Sequence, residues 1–213
     1  MLEVMGYLHN FTGKASMEID YYISLSSPYT HMGHARFEEM AKAHALTVNY
    51  RLLSTPEVLA AAGTLPVAKR PPSRLAYRMM ELKRWRRHLG LTYNLEPKFF
   101  PVPDIAAARM VVGAIQAGAH PGALIGAFLG AVWEQERDIT DVATLKAIVA
   151  ETGLDAENIA QRAEGSEVAA RIEKNTQDAI ASQVFGYPTW KLDGELFWGQ
   201  DRLDFLEQAL ERA

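Results

Sequence analysis

The sequence predicts a mixed α/β fold in which a block of helices interrupts a small β-sheet. Residues 18–52 change from an alternating apolar pattern to a helical period and back to alternation. Residues 56–183 contain no convincing strand, and residues 189–198 return to the alternating pattern before a last helical stretch. The predicted order is therefore β-α-β, an all-helical insertion, and β-β-α.

The first unit is centred on the change of pattern at Ser27. Apolar residues alternate over 18–25, which predicts a strand. Residues 28–45 then carry apolar side chains at spacings of three and four, which predicts a helix. Ser27 is placed as the N-cap of that helix and Pro28 as its first residue. A second strand is predicted at 47–53, parallel to the first because a helix connects them.

Proline and glycine divide the helical block. Residues 63–72 form a predicted loop with three prolines, and residues 96–103, which also contain three, cannot be regular helix. Ser73 and Asp104 are predicted N-caps because their side chains can accept backbone hydrogen bonds. The helices predicted in this block cover residues 73–90, 104–116, 121–135, 140–153, 155–163 and 166–182.

Two short strands and a helix close the chain. Residues 189–193 and 195–198 are the predicted strands, and Asp193-Gly194 is a strong signal for a two-residue hairpin turn. Gly199 interrupts the pattern. Asp201 is placed to cap a final helix, whose inward-facing residues are Leu203, Leu206 and Leu210.

The composition is typical of a soluble globular protein, with 48% apolar and 23% charged residues. A net charge of −4 argues against binding of polyanions by the molecule as a whole. Cysteine is absent, which excludes disulfide bonds, thiolate zinc sites and a catalytic cysteine. No apolar run is long enough for a membrane span, and the first residues do not resemble a signal peptide, so we expect a cytoplasmic protein.

These patterns also predict the domain organisation. Residues 1–16 are expected to be an N-terminal extension or a tag. Residues 17–55 form the first half of the sheet domain, residues 56–183 the helical insertion domain, and residues 184–213 the second half of the sheet domain.

Local chemistry leaves two positions open to more than one interpretation. Ser27 either only caps the first helix or also binds an anion at the positive end of the helix dipole. Pro188 directly precedes a strand, where it is either a trans residue in a plain loop or part of a cis turn. His31 and His34 are a suggestive pair, but no carboxylate ligand is evident beside them, so we predict no metal site.

Four segments carry a resemblance to a known family. They are residues 21–29 with their Ser-Pro helix start, residues 184–189, residues 193–203 and the Arg84-Trp85 pair. In these segments the chain resembles the 2-hydroxychromene-2-carboxylate isomerases and the kappa-class glutathione transferases, which are relatives of the disulfide oxidoreductase DsbA. The resemblance spans residues 17–213. It implies a thioredoxin-like fold with a large all-helical insertion, of the DsbA and kappa-class type.

The resemblance implies that glutathione is the cofactor and that Ser27 is catalytic. Ser27 stands where oxidoreductases of this fold carry their first cysteine, and its hydroxyl would hydrogen-bond the glutathione sulfur and favour the thiolate. A cis Pro188 would face the start of the first helix. The residues implied to bind glutathione are Tyr187, Pro188, Trp198, Gly199, Gln200, Asp201 and Lys69.

A basic stretch and several aromatic residues are candidates for substrate binding. Eight Lys and Arg residues lie between positions 69 and 87, against Glu81 alone. Most of them are expected to form a solvated helix face, whereas Lys69 is the best candidate to meet a carboxylate. No nucleic-acid-binding motif accompanies the charge. The aromatic candidates could equally belong to the core; the full set of predicted substrate contacts is Trp85, Lys98 and Phe99, with Phe100 and Trp198 as further pocket residues.

The predicted function is that of a glutathione-dependent isomerase of the 2-hydroxychromene-2-carboxylate isomerase type. It would act on an aromatic, carboxylate-bearing small molecule by reversible thiolate addition and regenerate glutathione in each turnover. Two alternatives stay open: a kappa-class-like transferase, which consumes glutathione, and a non-catalytic thiol- or peptide-binding protein. The resemblance also implies a homodimer, and no membrane or nucleic-acid partner is expected.

Overall fold

The computed structural model describes residues 17–212, which form a four-stranded sheet and nine α-helices. The predicted extension of residues 1–16 lies outside the described residues. The strands are Glu18–Ile23 (β1), Thr47–Leu52 (β2), Thr189–Leu192 (β3) and Glu195–Trp198 (β4). The helices are Pro28–Ala43 (α1), Thr55–Ala61 (α2), Pro72–His88 (α3), Ile105–Gln116 (α4), Gly122–Trp133 (α5), Val142–Glu151 (α6), Ala156–Ala163 (α7), Ser166–Ala181 (α8) and Leu203–Arg212 (α9), with short 3₁₀ helices at Val67–Lys69 and Gln200–Arg202.

The sheet has the strand order β2-β1-β3-β4. β1 and β2 are parallel, while β3 is antiparallel to both β1 and β4. All four predicted strands are confirmed, and no further strand lies among the described residues between 56 and 183. Asp193 and Gly194 both have positive φ, as a tight hairpin turn requires. The predicted thioredoxin-like layout with a helical insertion is therefore correct.

Consecutive residues of β1 belong to two separate apolar clusters, because neighbouring side chains of a strand point to opposite faces of the sheet. Tyr21 stacks on Trp190 and packs on Phe37 of α1, within the large core that also contains α4 and α5. Tyr22 lies in a smaller cluster beneath α2 and α8, together with Tyr187. The carboxyl end of β1 is thus held from both faces, and the turn that follows it has a rigid base.

Two predicted helix caps are wrong, and a third has the predicted position without the side-chain bond. α3 begins at Pro72 rather than at Ser73, because proline in the first turn supplies the helical φ without a side-chain cap. Asp104 is the N-cap residue of α4, as predicted, but its side chain makes no cap bond and instead accepts a hydrogen bond from Ser24, just after β1. Asp201 lies inside a 3₁₀ helix and pairs with Arg202 at 2.9 Å instead of capping α9.

Candidate active site

Ser27 lies at the turn between β1 and α1, and its hydroxyl contacts two segments. Its Oγ accepts a hydrogen bond from the Thr30 amide at 3.3 Å, which confirms the predicted N-cap. The same hydroxyl donates to the carbonyl of Tyr187, also at 3.3 Å. Both bonds are long for their types, so a stronger acceptor can redirect the hydroxyl at small cost. The side chain is half-buried at the positive end of the α1 dipole.

The segment that faces Ser27 is the turn before β3. The Tyr187–Pro188 peptide bond is cis, which confirms that prediction. The Pro188 carbonyl accepts a hydrogen bond from the Gly199 amide at 2.9 Å, so the loop after β4 begins beside the same turn. Gly199 has a φ of 104°, a conformation that favours glycine. The fold thus brings together the start of α1, the cis turn and the loop after β4.

A buried carboxylate beneath this turn is the functional candidate that sequence patterns missed. Asp104 is 5% exposed, and its Oδ2 accepts from Ser24 Oγ at 2.7 Å and from Thr55 Oγ1 at 3.2 Å. The Ser26 amide and hydroxyl both lie 3.4 Å from the same oxygen. Burial raises the pKa of the Asp104 carboxyl, while these hydrogen bonds act to lower it. Asp104 therefore holds Ser24 and Ser26, the residues shortly before Ser27, in place through hydrogen bonds.

The sequence matches the model of the DsbA-like thioredoxin domain over residues 18–211. The chain belongs to the DsbA-like thioredoxin family. It is 30% identical over 200 residues to the 2-hydroxychromene-2-carboxylate isomerase of Pseudomonas putida, a match that covers 92% of this chain and 95% of the relative. The isomerase of Sphingobium xenophagum is 28% identical, over 90% of this chain and 97% of the relative.

A solved structure of a 2-hydroxychromene-2-carboxylate isomerase superposes on this DsbA-like protein with a TM-score of 0.75. The two sequences are 27% identical, and the match covers 92% of this chain and 95% of the other. Together with the Pseudomonas putida relative, this places the chain among the 2-hydroxychromene-2-carboxylate isomerases. The predicted family, fold and enzyme class are thereby confirmed.

The predicted glutathione contacts after β4 occupy different environments in this DsbA-like protein. Gln200 is buried against Gly33 of α1, and its Oε1 accepts from Arg36 at 2.8 Å. Its Nε2 is buried without a hydrogen-bond partner. Asp201 is exposed, and its carboxylate meets only the neighbouring Arg202 among the described residues. Asp201 is therefore the accessible anion of this loop, whereas Gln200 ties the loop to α1.

Trp198 shapes the surface next to the cis turn. It is 49% exposed, and its ring lies 4.7 Å from the ring of Phe185. A Cβ atom added to Gly186 would collide with the indole of Trp198. The glycine directly before Tyr187 therefore allows the indole of Trp198 to lie close against this segment.

The predicted substrate and glutathione contacts from the helical insertion lie on separate segments of the chain. Lys69 is exposed at the end of its 3₁₀ helix, and Lys98 is exposed with its Nζ 5.0 Å from the centre of the Phe99 ring. Trp85 is half-buried on α3 and packs edge-on against His88. The structure records no contact of these four side chains with Ser27, so their predicted substrate roles stay predictions.

No group of three His, Asp or Glu side chains within residues 17–212 is arranged to hold a metal ion. His31 lies 3.0 Å from Glu134, whereas Nε2 of His34 lies 2.8 Å from the carbonyl of Gly122. The two histidines therefore face different partners. In the same part of the chain, no helix is long and apolar enough to cross a membrane.

Proposed function

We propose that this protein is a glutathione-dependent isomerase that acts on 2-hydroxychromene-2-carboxylate or a close aromatic relative. The observation that carries the proposal is the Ser27 hydroxyl, which lies at the start of α1 and faces the carbonyl before a cis proline. A chain without cysteine cannot supply its own thiol. A hydroxyl donor at a helix N-terminus is suited to binding the sulfur of a thiol that comes from outside.

The residues present fit glutathione. Ser27 supplies a donor for the sulfur, and the backbone of Tyr187 lies beside it, within reach of an extended peptide. Asp201 is an exposed carboxylate suited to the ammonium of the γ-glutamyl unit, and the buried Nε2 of Gln200 is an unused donor in the same loop. When bound, glutathione would supply a thiolate capable of reversible addition to a conjugated substrate.

The free energy by which Ser27 and the start of α1 would stabilise the bound thiolate can be calculated from typical magnitudes. A hydrogen bond to a charged group contributes about 1.5–3 kcal/mol. The helix N-terminus adds about 0.3–1 kcal/mol, and up to about 2 kcal/mol when partly buried. Since about 1.4 kcal/mol corresponds to one pKa unit, the two effects would lower a thiol pKa from about 8.5 to roughly 5–7. Ser27 would thus keep the sulfur ionised at neutral pH, which is its proposed catalytic role.

The remaining residues would bind and orient the substrate. Trp198 presents an exposed ring next to the cis turn, where an aromatic substrate could stack. Trp85, Lys98 and Phe99 keep their predicted substrate roles, and Lys69 keeps its predicted contact with glutathione. We further propose that the protein is cytoplasmic and, on the family resemblance, that it is a homodimer.

The decisive experiment measures turnover and glutathione stoichiometry together. The purified protein is mixed with 2-hydroxychromene-2-carboxylate, and formation of the benzylidenepyruvate product is followed by absorbance with and without glutathione. We expect isomerisation that requires glutathione and leaves its concentration unchanged. Consumption of one glutathione per product would instead identify a transferase. Glutathione binding without turnover would identify a thiol-binding protein and would contradict the proposal.

A further inference from the structure

Arg78 on α3 is a half-buried cation whose donors are not all used. Its guanidinium carbon lies 5.1 Å from the centre of the Phe100 ring, a cation–π distance. Its Nη2 is buried and has no hydrogen-bond partner. Arg78 also pairs with no carboxylate in the described part of the chain. The ring of Phe100 thus holds the guanidinium in place, and Nη2 is left without a partner.

Other basic residues of α3 either have a hydrogen-bond or ion-pair partner or are exposed to water. Arg84 pairs with Glu81, and Arg86 donates to the carbonyl of Tyr93 at 3.1 Å. Arg74 is exposed, so water can satisfy its donors. An arginine donor that is shielded from water and has no partner is unfavourable, because desolvation is not offset by a hydrogen bond. Burial accordingly lowers the pKa of Arg78, and the like charge of Arg70 acts in the same direction. An anion bound at Arg78 would remove this penalty.

The contacts of α3 and of the loop before it place Arg78 near the site. The Tyr93 hydroxyl donates to the carbonyl of Leu82 on α3 at 2.7 Å and lies 3.9 Å from the sulfur of Met32 on α1. Arg78 lies one helical turn before Leu82. In the loop before α3, Thr64 Oγ1 donates to the carbonyl of Phe185 at 3.3 Å, just before the cis turn. Arg78 therefore lies on the part of α3 between its contact with α1 and the contact of its loop with the segment before the cis turn.

We propose that Arg78, held on the ring of Phe100, binds the carboxylate of the aromatic substrate on the α3 side of the site. The identity of the substrate rests on the proposed function, whereas the presence of a carboxylate site does not. The planar guanidinium can hold a carboxylate through two parallel hydrogen bonds, a geometry that lysine cannot reproduce. This assigns the substrate carboxylate to Arg78, whereas Lys69, which is exposed to solvent, keeps its predicted contact with glutathione.

The test compares the binding of a carboxylate and of its uncharged counterpart. Equilibrium binding of trans-cinnamate and of its methyl ester is measured with saturating glutathione for the wild type, Arg78→Met, Arg78→Lys and Arg74→Met. We expect the wild type to prefer the carboxylate and Arg78→Met to lose roughly ten- to a hundredfold of cinnamate affinity, with the ester unchanged. Arg78→Lys should lie between the two. Arg74→Met, which removes an exposed charge from the same helix, should behave as the wild type.

The possible failures can be told apart. If the wild type does not isomerise 2-hydroxychromene-2-carboxylate but Arg78→Met still abolishes the carboxylate preference, the proposed function is wrong and the Arg78 site stands. If Arg78→Met retains the preference, or the wild type shows none, the Arg78 proposal is overturned. It is also overturned if Arg78→Met weakens glutathione and not cinnamate, because Arg78 would then serve a carboxylate of glutathione. Arg78→Met should unfold at or above the wild-type Tm, since it removes a buried donor without a partner.

Discussion

The Ser27 hydroxyl donates to the backbone carbonyl of Tyr187, a residue 160 positions further along the chain, at 3.3 Å. This contact joins the first β-α-β unit to the closing β-β-α unit across the whole helical insertion. The hydroxyl also accepts from the Thr30 amide, so one side chain completes the α1 cap and touches the cis turn. The two half-domains therefore meet at the atom to which we assign the chemistry.

The contact between Gly186 and Trp198 predicts that Gly186→Ala lowers stability and weakens glutathione binding. The added methyl group collides with the indole, so Trp198 must move away from the cis turn. We expect a loss of about 1–3 kcal/mol in the free energy of unfolding, as is typical of overpacking, together with weaker glutathione binding. Urea unfolding and calorimetric titration with glutathione would measure the two effects.

Gly130→Ala is the matched control for this substitution. Gly130 lies within α5, and a Cβ atom there meets only Glu134 at an ordinary contact distance of 3.8 Å. Alanine in a helix interior should raise stability by about 0.5–1 kcal/mol. Equal stability and equal glutathione affinity in Gly186→Ala and the wild type would show that the position of Trp198 is unimportant.

Asp201→Asn tests whether this carboxylate binds a ligand or supports the fold. The Asp201 side chain makes no cap bond, so we expect no measurable change in Tm. Loss of a charged partner for the γ-glutamyl ammonium should weaken glutathione binding about tenfold. Asp204→Asn, which changes an exposed carboxylate three residues later, should leave that affinity unchanged. A lower Tm with unchanged affinity would instead indicate a structural role.

Because the Asp104 carboxyl is buried, we expect its contribution to stability to decrease as the pH rises. Burial raises the pKa of its carboxyl in the folded protein, so the folded state binds this proton more tightly than the unfolded chain does. The contribution of Asp104 to stability is therefore complete below the unfolded pKa of about 3.9 and is lost as the pH rises through the folded pKa. The free energy of unfolding of the wild type minus that of Asp104→Asn should fall as the pH rises from about 4. A constant or rising difference would contradict this assignment.

The parts of the fold that depend on local patterns could be predicted from the sequence. The N-cap at Ser27 and the hairpin turn at Asp193-Gly194 each need only a few neighbouring residues. The cis bond before Pro188 became predictable only through the family resemblance, because most such bonds are trans.

The burial of particular polar groups could not be predicted. An aspartate before a helix normally indicates a cap, and nothing local shows that Asp104 instead bonds Ser24 and Thr55. In the same way, Arg78 is one of eight basic residues in its stretch, and only tertiary packing shields its Nη2 from water. Such contacts between distant segments are set by the packing of the insertion against the sheet.

The central claim is that Ser27 acts on the sulfur of bound glutathione and not only on the backbone of α1. Ser27→Ala should lose about 1 kcal/mol of stability through the missing cap. It should also lose about ten- to a hundredfold in rate at neutral pH, partly recovered at higher pH as the solution supplies thiolate. Asp155→Ala is the matched control, because it removes the α7 cap, where Asp155 accepts from the Asn158 amide, and should cost similar stability without affecting the rate.

The most direct measurement is the ultraviolet absorbance of the thiolate of bound glutathione, titrated with pH in the wild type, Ser27→Ala and Asp155→Ala. Removal of a hydrogen bond worth about 1.5–3 kcal/mol should raise the midpoint in Ser27→Ala by about one to two pH units. The midpoint of Asp155→Ala should equal that of the wild type. If Ser27→Ala also titrates with the wild-type midpoint, Ser27 is only a helix cap and the proposed mechanism is wrong.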